Sequence, residues 1–342
     1  MPSIERSKVT IYDVAARANV AISTVSRVLN NSNDVSTRTR ARVLSAIDEL
    51  KFRPDRTAKT LAMQQSTSLA IALPTFTTPF HNELLKGVRD SVKEEDSDFL
   101  LCDLGSRHPR QTLLNFLSRG AVDGLLLAGV PLDHALALEL QALHAPVVLI
   151  GNQWDGFDSF FWDDVAGAQA AVGHLIEVGH TRIGMIRAYT ESDLQKGRVR
   201  GYQDALNAAG LPLDWDIVVT GETQKHAGFS EEAGYEAMQL LLQVDPTITA
   251  VFASSDVQAL GAWKAIIDHG KRVPDDIAIV GYDDIKTSSY IGLSSVDQSM
   301  QQIGFRAAKL LLQRMNRRGQ KERVCDLVTP HLKVRRSSKP TS

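Results

Sequence analysis

The amino-acid sequence predicts a small all-α helix-turn-helix head followed by an α/β body of two doubly wound parallel-sheet lobes. Three observations carry this reading. The stretch Thr10 to Asn30 spaces its apolar residues as two short helices around a tight turn. After Gln64-Gln65-Ser66 the pattern changes to short apolar runs alternating with helical stretches, the mark of parallel α/β units. The length of 342 residues exceeds one typical domain and suits a small module plus a body of two lobes.

Thr10 followed three residues later by Asp13 is a capping-box-like start for the first helix. Ile11, Val14, Ala15 and Ala18 fall on one helical face, Asn19 can take the left-handed turn conformation, and Val20 plugs the corner. In the second helix Val25, Val28 and Leu29 form the apolar side. Ser23, Ser26 and Arg27 then point away from it, as a recognition helix in a major groove requires, although an ordinary helical hairpin with a solvated face has the same pattern. Ser36 is a good N-cap for a third helix with the stripe Val43, Leu44, Ile47 and Leu50, ending near Phe52-Arg53-Pro54. The next segment, Arg56 to Met63, has eight residues, too few for a helix stable by itself in water. It is either a plain linker or a helix that folds only when something holds it.

In the body, Leu69 to Pro74, Phe99 to Leu104, Val122 to Ala128 and Val147 to Ile150 are expected as buried strands of one lobe. Ile183 to Ile186, Ile217 to Thr220, Ala250 to Ala253 and Ile277 to Val280 repeat the alternation for the second lobe. A helix over residues 299–315 carries Ile303, Ala307, Leu310 and Leu311 on one face, and Val324 to Val334 is strand-like. Two such lobes leave a cleft at the carboxyl ends of their strands, where ligands bind in doubly wound folds.

Charge is segregated. Residues 1–65 hold eleven Lys and Arg against six Asp and Glu, a net of +5, so the remainder carries −7 of a chain total of −2. A basic head on an acidic body suits a polyanion at one end only. Cys102 and Cys325 have no paired spacing, so neither a disulfide framework nor a metal site is expected. There is no apolar signal core at the N-terminus and no run of eighteen apolar residues, which argues for a bacterial cytoplasmic protein without membrane contact. No G-x-S-x-G elbow, Walker loop or H-E-x-x-H motif occurs, so no enzyme, catalytic residue or cofactor is expected.

The segments Tyr12-Asp13-Val14-Ala15 and Thr24-Val25-Ser26-Arg27-Val28-Leu29-Asn30 resemble the helix-turn-helix of the lactose/galactose repressor family of bacterial transcription regulators. The resemblance runs almost to the C-terminus. Ala58-Lys59-Thr60-Leu61-Ala62 matches that family's hinge-helix motif. Thr78-Pro79-Phe80-His81, Val122-Asp123-Gly124, Asp163-Asp164, Gly197-Arg198, Ser255-Asp256 and Val280-Gly281-Tyr282-Asp283-Asp284 match its effector domain, which is similar to periplasmic sugar-binding proteins. The resemblance implies a DNA-binding domain over 1–53, a hinge helix and linker over 54–67, and an effector-binding and dimerisation domain over 68–338. It also implies strand exchange between the lobes, with crossovers near residues 164, 293 and 326.

The expected function is a sequence-specific repressor of carbohydrate-utilisation genes, binding a pseudo-palindromic operator as a homodimer under control of a sugar-like effector. A corepressor-dependent regulator with a non-sugar effector uses the same geometry. A plain sugar-binding protein or a carbohydrate-processing enzyme is the reading from another class, and the basic head argues against both. Arg27 can make the bidentate contact to guanine, and Ile22 and Ser23 stand at the family's variable base-reading positions, unless Ile22 faces the head's core. Thr24, Ser26, Thr37 and Arg38 suit phosphates. By resemblance Ala58, Leu61 and Ala62 meet the minor groove, with Leu61 as the wedge. Ala21 departs from the family's usual serine and forgoes about 1 kcal/mol of capping.

The expected effector residues are Phe80, His81, Asp163, Arg198, Phe229, Asp256 and Asp283. Carboxylates and an arginine fork take adjacent hydroxyls, while Phe80 and Phe229 can lie against the apolar face of a sugar ring. His81 is either a hydrogen-bonding group for the ligand or a structural histidine. Trp162 lines the pocket or packs beneath it. The stretch Arg187 to Lys196 departs from the family's glycine- and serine-rich loop, and it reads as a solvated loop of mixed sign or as a contact for a charged sugar.

Overall fold

The computed structural model describes residues 9–29, 32, 34–52, 67–93, 97–105, 108–119, 122–316 and 322–339, and the chain divides into two units, Met1–Ser66 and Thr67–Ser342. The first unit holds α1 (Ile11–Ala18), α2 (Ile22–Leu29) and α3 (Thr37–Glu49). At the start of α1 the Asp13 carboxylate accepts from both the amide and the hydroxyl of Thr10, each at 2.7 Å. Asn19, at φ 50°, ends α1 in the left-handed region. The carbonyl of Ala21 opens α2 by accepting from Thr24 and Val25, and its methyl side chain offers no further acceptor.

Val14, Val25, Val28, Val43, Ala46 and Phe52 close a small core between the three helices. Arg42 on α3 donates to the carbonyls of Ala18 at 2.5 Å and Asn19 at 2.9 Å, which satisfies the C-terminal end of α1 and fixes α3 against it. Leu44, expected in the stripe, is 51% exposed. The buried positions of α3 are 43 and 46, and residue 44 lies a hundred degrees round the helix from the first of them.

The body follows the alternating pattern. β1 (Thr67–Leu73), α4 (Pro79–Val92), β2 (Ser97–Asp103), α5 (Pro109–Leu117), β3 (Gly124–Ala128), α6 (His134–Gln141), β4 (Val147–Ile150) and β5 (Asp158–Trp162) begin the first lobe. The chain then crosses into α7 (Asp164–Glu177), β6 (Ile183–Ile186), α8 (Asp193–Ala208), β7 (Val218–Val219), α9 (Glu231–Val244), β8 (Ala250–Ala253), α10 (Asp256–Asp268), β9 (Ala278–Asp283), α11 (Lys286–Ile291) and β10 (Ser294–Asp297). It returns in α12 (Met300–Asn316), which packs on α4, and closes with β11 (Cys325–Val328) in the first sheet and β12 (His331–Lys333) in the second. The sheet orders are β11-β5-β4-β3-β1-β2, all parallel, and β12-β10-β9-β8-β6-β7, parallel except for β12. The lobes are thus joined by three connections, after Trp162, after Asp297 and after Val328.

Two strands, β5 and β10, were hidden from the hydropathy pattern because they bury polar residues. Asp158, Ser159, Ser294 and Ser295 are each at most 1% exposed. Asp158 is held bidentately by Arg314 of α12, both bonds at 2.8 Å, and also accepts from the Val324 amide at 2.8 Å. The expected single strand Val324 to Val334 is two strands, one in each sheet. Close helix packing in the first lobe needs glycine at the crossing of α4 and α12, where a Cβ on Gly87 would stand 1.8 Å from the Gln301 carbonyl oxygen. Among the described residues no helix is long and apolar enough to cross a membrane.

Both members of the Arg314–Asp158 pair are buried, at 8% and 2% side-chain exposure, so removing one leaves the other charge uncompensated. Arg314→Met should destabilise the body by about 3–5 kcal/mol. A urea melt of the variant should show a lower midpoint at unchanged slope, and an unshifted midpoint would count the pair as dispensable.

Candidate DNA-reading surface and effector cleft

Helix α2 presents Ile22, Ser23 and Arg27 to solvent, with Thr24 and Ser26 half-buried beside them. Ile22 is 41% exposed, so it is not part of the head's core. Thr37 and Arg38, in the first turn of α3, are exposed as well. The head therefore exposes two guanidinium groups, several hydroxyls and one apolar side chain along α2 and the first turn of α3, a set able to meet base edges and phosphates. Ala58, Leu61 and Ala62 lie outside the described residues.

In the body a cleft of about 960 Å³ opens between the lobes at the carboxyl ends of the strands. Four of the expected residues line it: Phe80 and His81 in the first turn of α4, Asp163 at the first crossing, and Arg198 on α8. Asp163 caps α7, its Oδ1 accepting from the Ala166 amide at 2.9 Å. Trp162 does both things considered for it. It packs on the first lobe's core and lines the cleft, and its Nε1 donates to the Gln298 carbonyl at 2.8 Å.

Arg198 is 3% exposed. Its Nε donates to Asp164 at 2.9 Å and its Nη1 to the Ser254 carbonyl at 2.5 Å, and the guanidinium lies 3.8 Å over the Tyr282 ring. Asp283 Oδ1 stands 3.9 Å from Nη1 and accepts from Gln298 at 2.7 Å. Burial opposes the charge on Arg198, and Asp164 and Asp283 outweigh it. Burial likewise raises both carboxyls, which the arginine holds back only in part.

Asp283, Asp256 and Phe229 do not line the cleft. Asp283 is tied up by Gln298 at its rear. Asp256, fully buried, accepts from Ser288 and Ser295 at 2.6 Å each and from the Ile285 amide at 2.9 Å. It anchors the turn into α11, and burial pushes its carboxyl up to about 7 against those three bonds. Phe229 is half-buried behind a turn in which His226, Ala227 and Gly228 have φ of 51°, 58° and 88°.

Within the stretch Arg187 to Lys196, residues 190–194 form part of the cleft wall, while Tyr189, Glu191, Asp193 and Lys196 remain exposed. Thr190, Glu191, Ser192, Asp193 and Leu194 all line it, and Gln195 is buried, its Oε1 accepting from the Ala188 amide at 3.0 Å and from Ser254 at 3.1 Å. Sequence reasoning also missed Asp164, Trp154 and Phe161 as lining residues. The Asp163-Asp164 doublet and a tryptophan flanked by Gly151 and Gly156 were the available signals.

The hydroxyl of Thr78 accepts from the His81 amide at 3.5 Å and sits 2.6 Å from His81 Nδ1. The short contact ties the ring to the start of α4 through Nδ1. Burial, helped by His226 and opposed by Asp103, pushes the imidazole down to about 4, so the ring is neutral at pH 7. The arrangement can hold a hydroxylated ligand by one buried cation, several carboxylates, a neutral imidazole and aromatic faces. No group of three or more His, Cys, Asp or Glu among the described residues is placed to bind a metal ion.

Residues 10–55 match the family of bacterial regulatory proteins described as the lacI family, and residues 172–338 match a periplasmic binding protein-like domain. The HTH-type transcriptional repressor PurR of Pasteurella multocida is 33% identical over 338 residues, covering 96% of this chain and 98% of that protein. The chain belongs to the LacI family. It is a DNA-binding transcription regulator and not an enzyme. Other LacI-family relatives are CelR of Thermobifida fusca, 33% identical over 97% of this chain and 99% of that one, and catabolite control protein A of Priestia megaterium, 32% identical with the same coverage. Among solved structures, a CelR–cellobiose complex superposes with a TM-score of 0.69 at 32% identity, covering 96% and 100% of the two chains. A lac repressor dimer bound to operator and the anti-inducer ONPF gives 0.78 at 26%, covering 97% and 99%.

Because the folded His81 ring titrates below an unfolded one, the unfolded chain takes up this proton first as pH falls. The site is neutral toward stability above about pH 6.5 and lowers it progressively from there to about 4. Comparing wild type with His81→Gln cancels opposing groups such as Asp256. Wild type should lose stability relative to the variant across that window, and parallel profiles would mean an ordinary imidazole.

Proposed function

We propose that this regulator represses carbohydrate-utilisation genes from the cytoplasm, as a homodimer on a pseudo-palindromic operator, and that a sugar bound in the cleft releases it. The observation that carries the ligand class is the composition of the cleft wall. Among the described residues, Asp163, Asp164, Glu191 and Asp193 face it against the single cation Arg198, with Phe80, Trp154, Phe161 and Trp162 alongside. That wall disfavours a phosphate or carboxylate and suits hydroxyls on an apolar ring. The likeness to a CelR–cellobiose complex and to an operator-bound lac repressor dimer supports the same reading.

On this reading residues 1–53 read DNA, 54–67 form a hinge helix, and 68–338 bind effector and dimerise. Arg27 contacts guanine, Ile22 and Ser23 read neighbouring bases, and Thr24, Ser26, Thr37 and Arg38 bind phosphates. Ala58, Leu61 and Ala62 enter the minor groove. A ligand bridging Asp163 and Arg198 favours one lobe angle, and any state with a different hinge spacing loses operator affinity by the same coupling energy. About 1–3 kcal/mol weakens operator binding roughly five- to 150-fold.

Two measurements test this. Arg27→Ala should cost about 1–3 kcal/mol of discrimination between operator and random DNA while leaving sugar binding alone, and equal loss on both DNAs contradicts base reading. Titrating cellobiose, maltose and glucose against a preformed operator complex should release the protein with at least one of them. Tightening would reverse the sign and make the ligand a corepressor, and binding without any effect on DNA would sink the coupling.

A further inference from the structure

The effector cleft does not stop at the lobe edge. Gln153 and Trp154, on the loop between β4 and β5, line it on one side and line a second cavity of about 540 Å³ on the other. The far wall of that cavity is α6, which contributes His134, Leu138 and Gln141, and Asp155 completes the rim. None of these residues has a part in the DNA surface or in the site described above, apart from Gln153 and Trp154 at the shared boundary.

The boundary is built rather than loose. Asn152 Nδ2 donates to the Val130 carbonyl at 2.7 Å, and the Phe157 amide donates to the Trp154 carbonyl at 3.3 Å. Gly156, at φ 91°, turns the loop so that the tip of the Gln141 side chain from α6 lies against it, 2.9 Å from where a Cβ would stand. Trp154 is half-buried, with part of its surface packed on the first lobe's core. Its indole is therefore a fixed platform shared by two cavities. Leu138, 52% exposed, adds apolar surface on α6, and two amides, an imidazole and a carboxylate surround it.

An aromatic face ringed by planar hydrogen-bonding groups is the chemistry that holds a pyranose ring, whose C–H face is apolar and whose edge carries hydroxyls. The main cleft already lies at the upper end of the range for small-molecule sites, roughly 300–1,000 Å³, and the second cavity falls within that range by itself. A single small sugar leaves the second cavity unexplained. We propose that it is an extension subsite, and that the effector is a linear neutral oligosaccharide of three or more rings, one end in the cleft and the chain passing over Trp154. The carboxylate of Asp155, added to those of the cleft, sets the neutral character. This inference rests on the sugar-effector reading above.

The test is isothermal titration of the full-length protein with cellobiose, cellotriose and cellotetraose, and with the matching malto-oligosaccharides. In one series affinity should rise about tenfold or more from two rings to four. Trp154→Ala should remove that gain. Because Trp154 also packs on the core, the double variant His134→Ala with Gln141→Ala, on the outer face of α6, provides a second check and should erase the same gain. Equal affinity for two and four rings overturns the subsite and leaves the sugar reading standing. A gain that survives both sets of substitutions also overturns the subsite. No binding by any member of either series overturns the subsite and the sugar reading together.

Discussion

One buried cation, Arg198, organises the cleft in the effector half of this molecule. Arg198 lies almost wholly out of water, which is unfavourable unless its charge and its donors are matched nearby. Its partners come from different elements: Asp164 at the start of α7, the Ser254 carbonyl at the end of β8, and the ring of Tyr282 with Asp283 at the end of β9. Three strand and helix ends thus converge on one guanidinium. Asp163, next in sequence to Asp164, is placed at the cleft by that convergence, and Gln298 at the second crossing is drawn in through Asp283. Without the cation, two buried carboxyls would lose the charge that opposes the upward push of burial on both of them.

The head depends on a different economy of contacts. Its helices are eight, eight and thirteen residues long, too short to persist alone, and their core is made of small side chains. Polar closure compensates: the Thr10–Asp13 pair at one end of α1 and Arg42 at the other. The residues left over on α2 face outward because the inward ones are all spoken for, which is how a helix with so little apolar surface can present a defined polar surface to solvent.

Much of this was legible in the sequence where one physical signal dominated. The head's turn at Asn19, the cap at Ser36 and the apolar strands β1, β3, β4, β8 and β9 follow from periodicity and capping chemistry alone. Reading failed where burial and polarity coincide. Asp158 and Ser294 are buried at the starts of their strands, satisfied by residues 156 and 44 positions away, and no local pattern announces such partners. Asp256 was expected at the ligand for the same reason: a carboxylate beside a strand end looks alike whether it faces a cleft or receives two serine hydroxyls from behind. The charged stretch 187–196 is solvated at four positions as its composition suggests, yet Gln195 turns inward to the Ala188 amide and residues 190–194 line the cleft.

The interleaving of the lobes bears on how the chain reaches this state at all. Neither sheet is complete until residues 325–333 are available, because β11 closes the open edge of β5 and β12 that of β10. During synthesis both edges must wait, one for more than 160 residues of chain to follow Trp162. Such late, sequence-distant pairing slows folding and leaves unpaired strand edges open to self-association in the meantime. The polar character of β5 and β10 has a use in that interval: an edge that carries Asp158, or Ser294 and Ser295, is a poor template for another chain, and it becomes a good interior strand only once Arg314 and the last strands arrive.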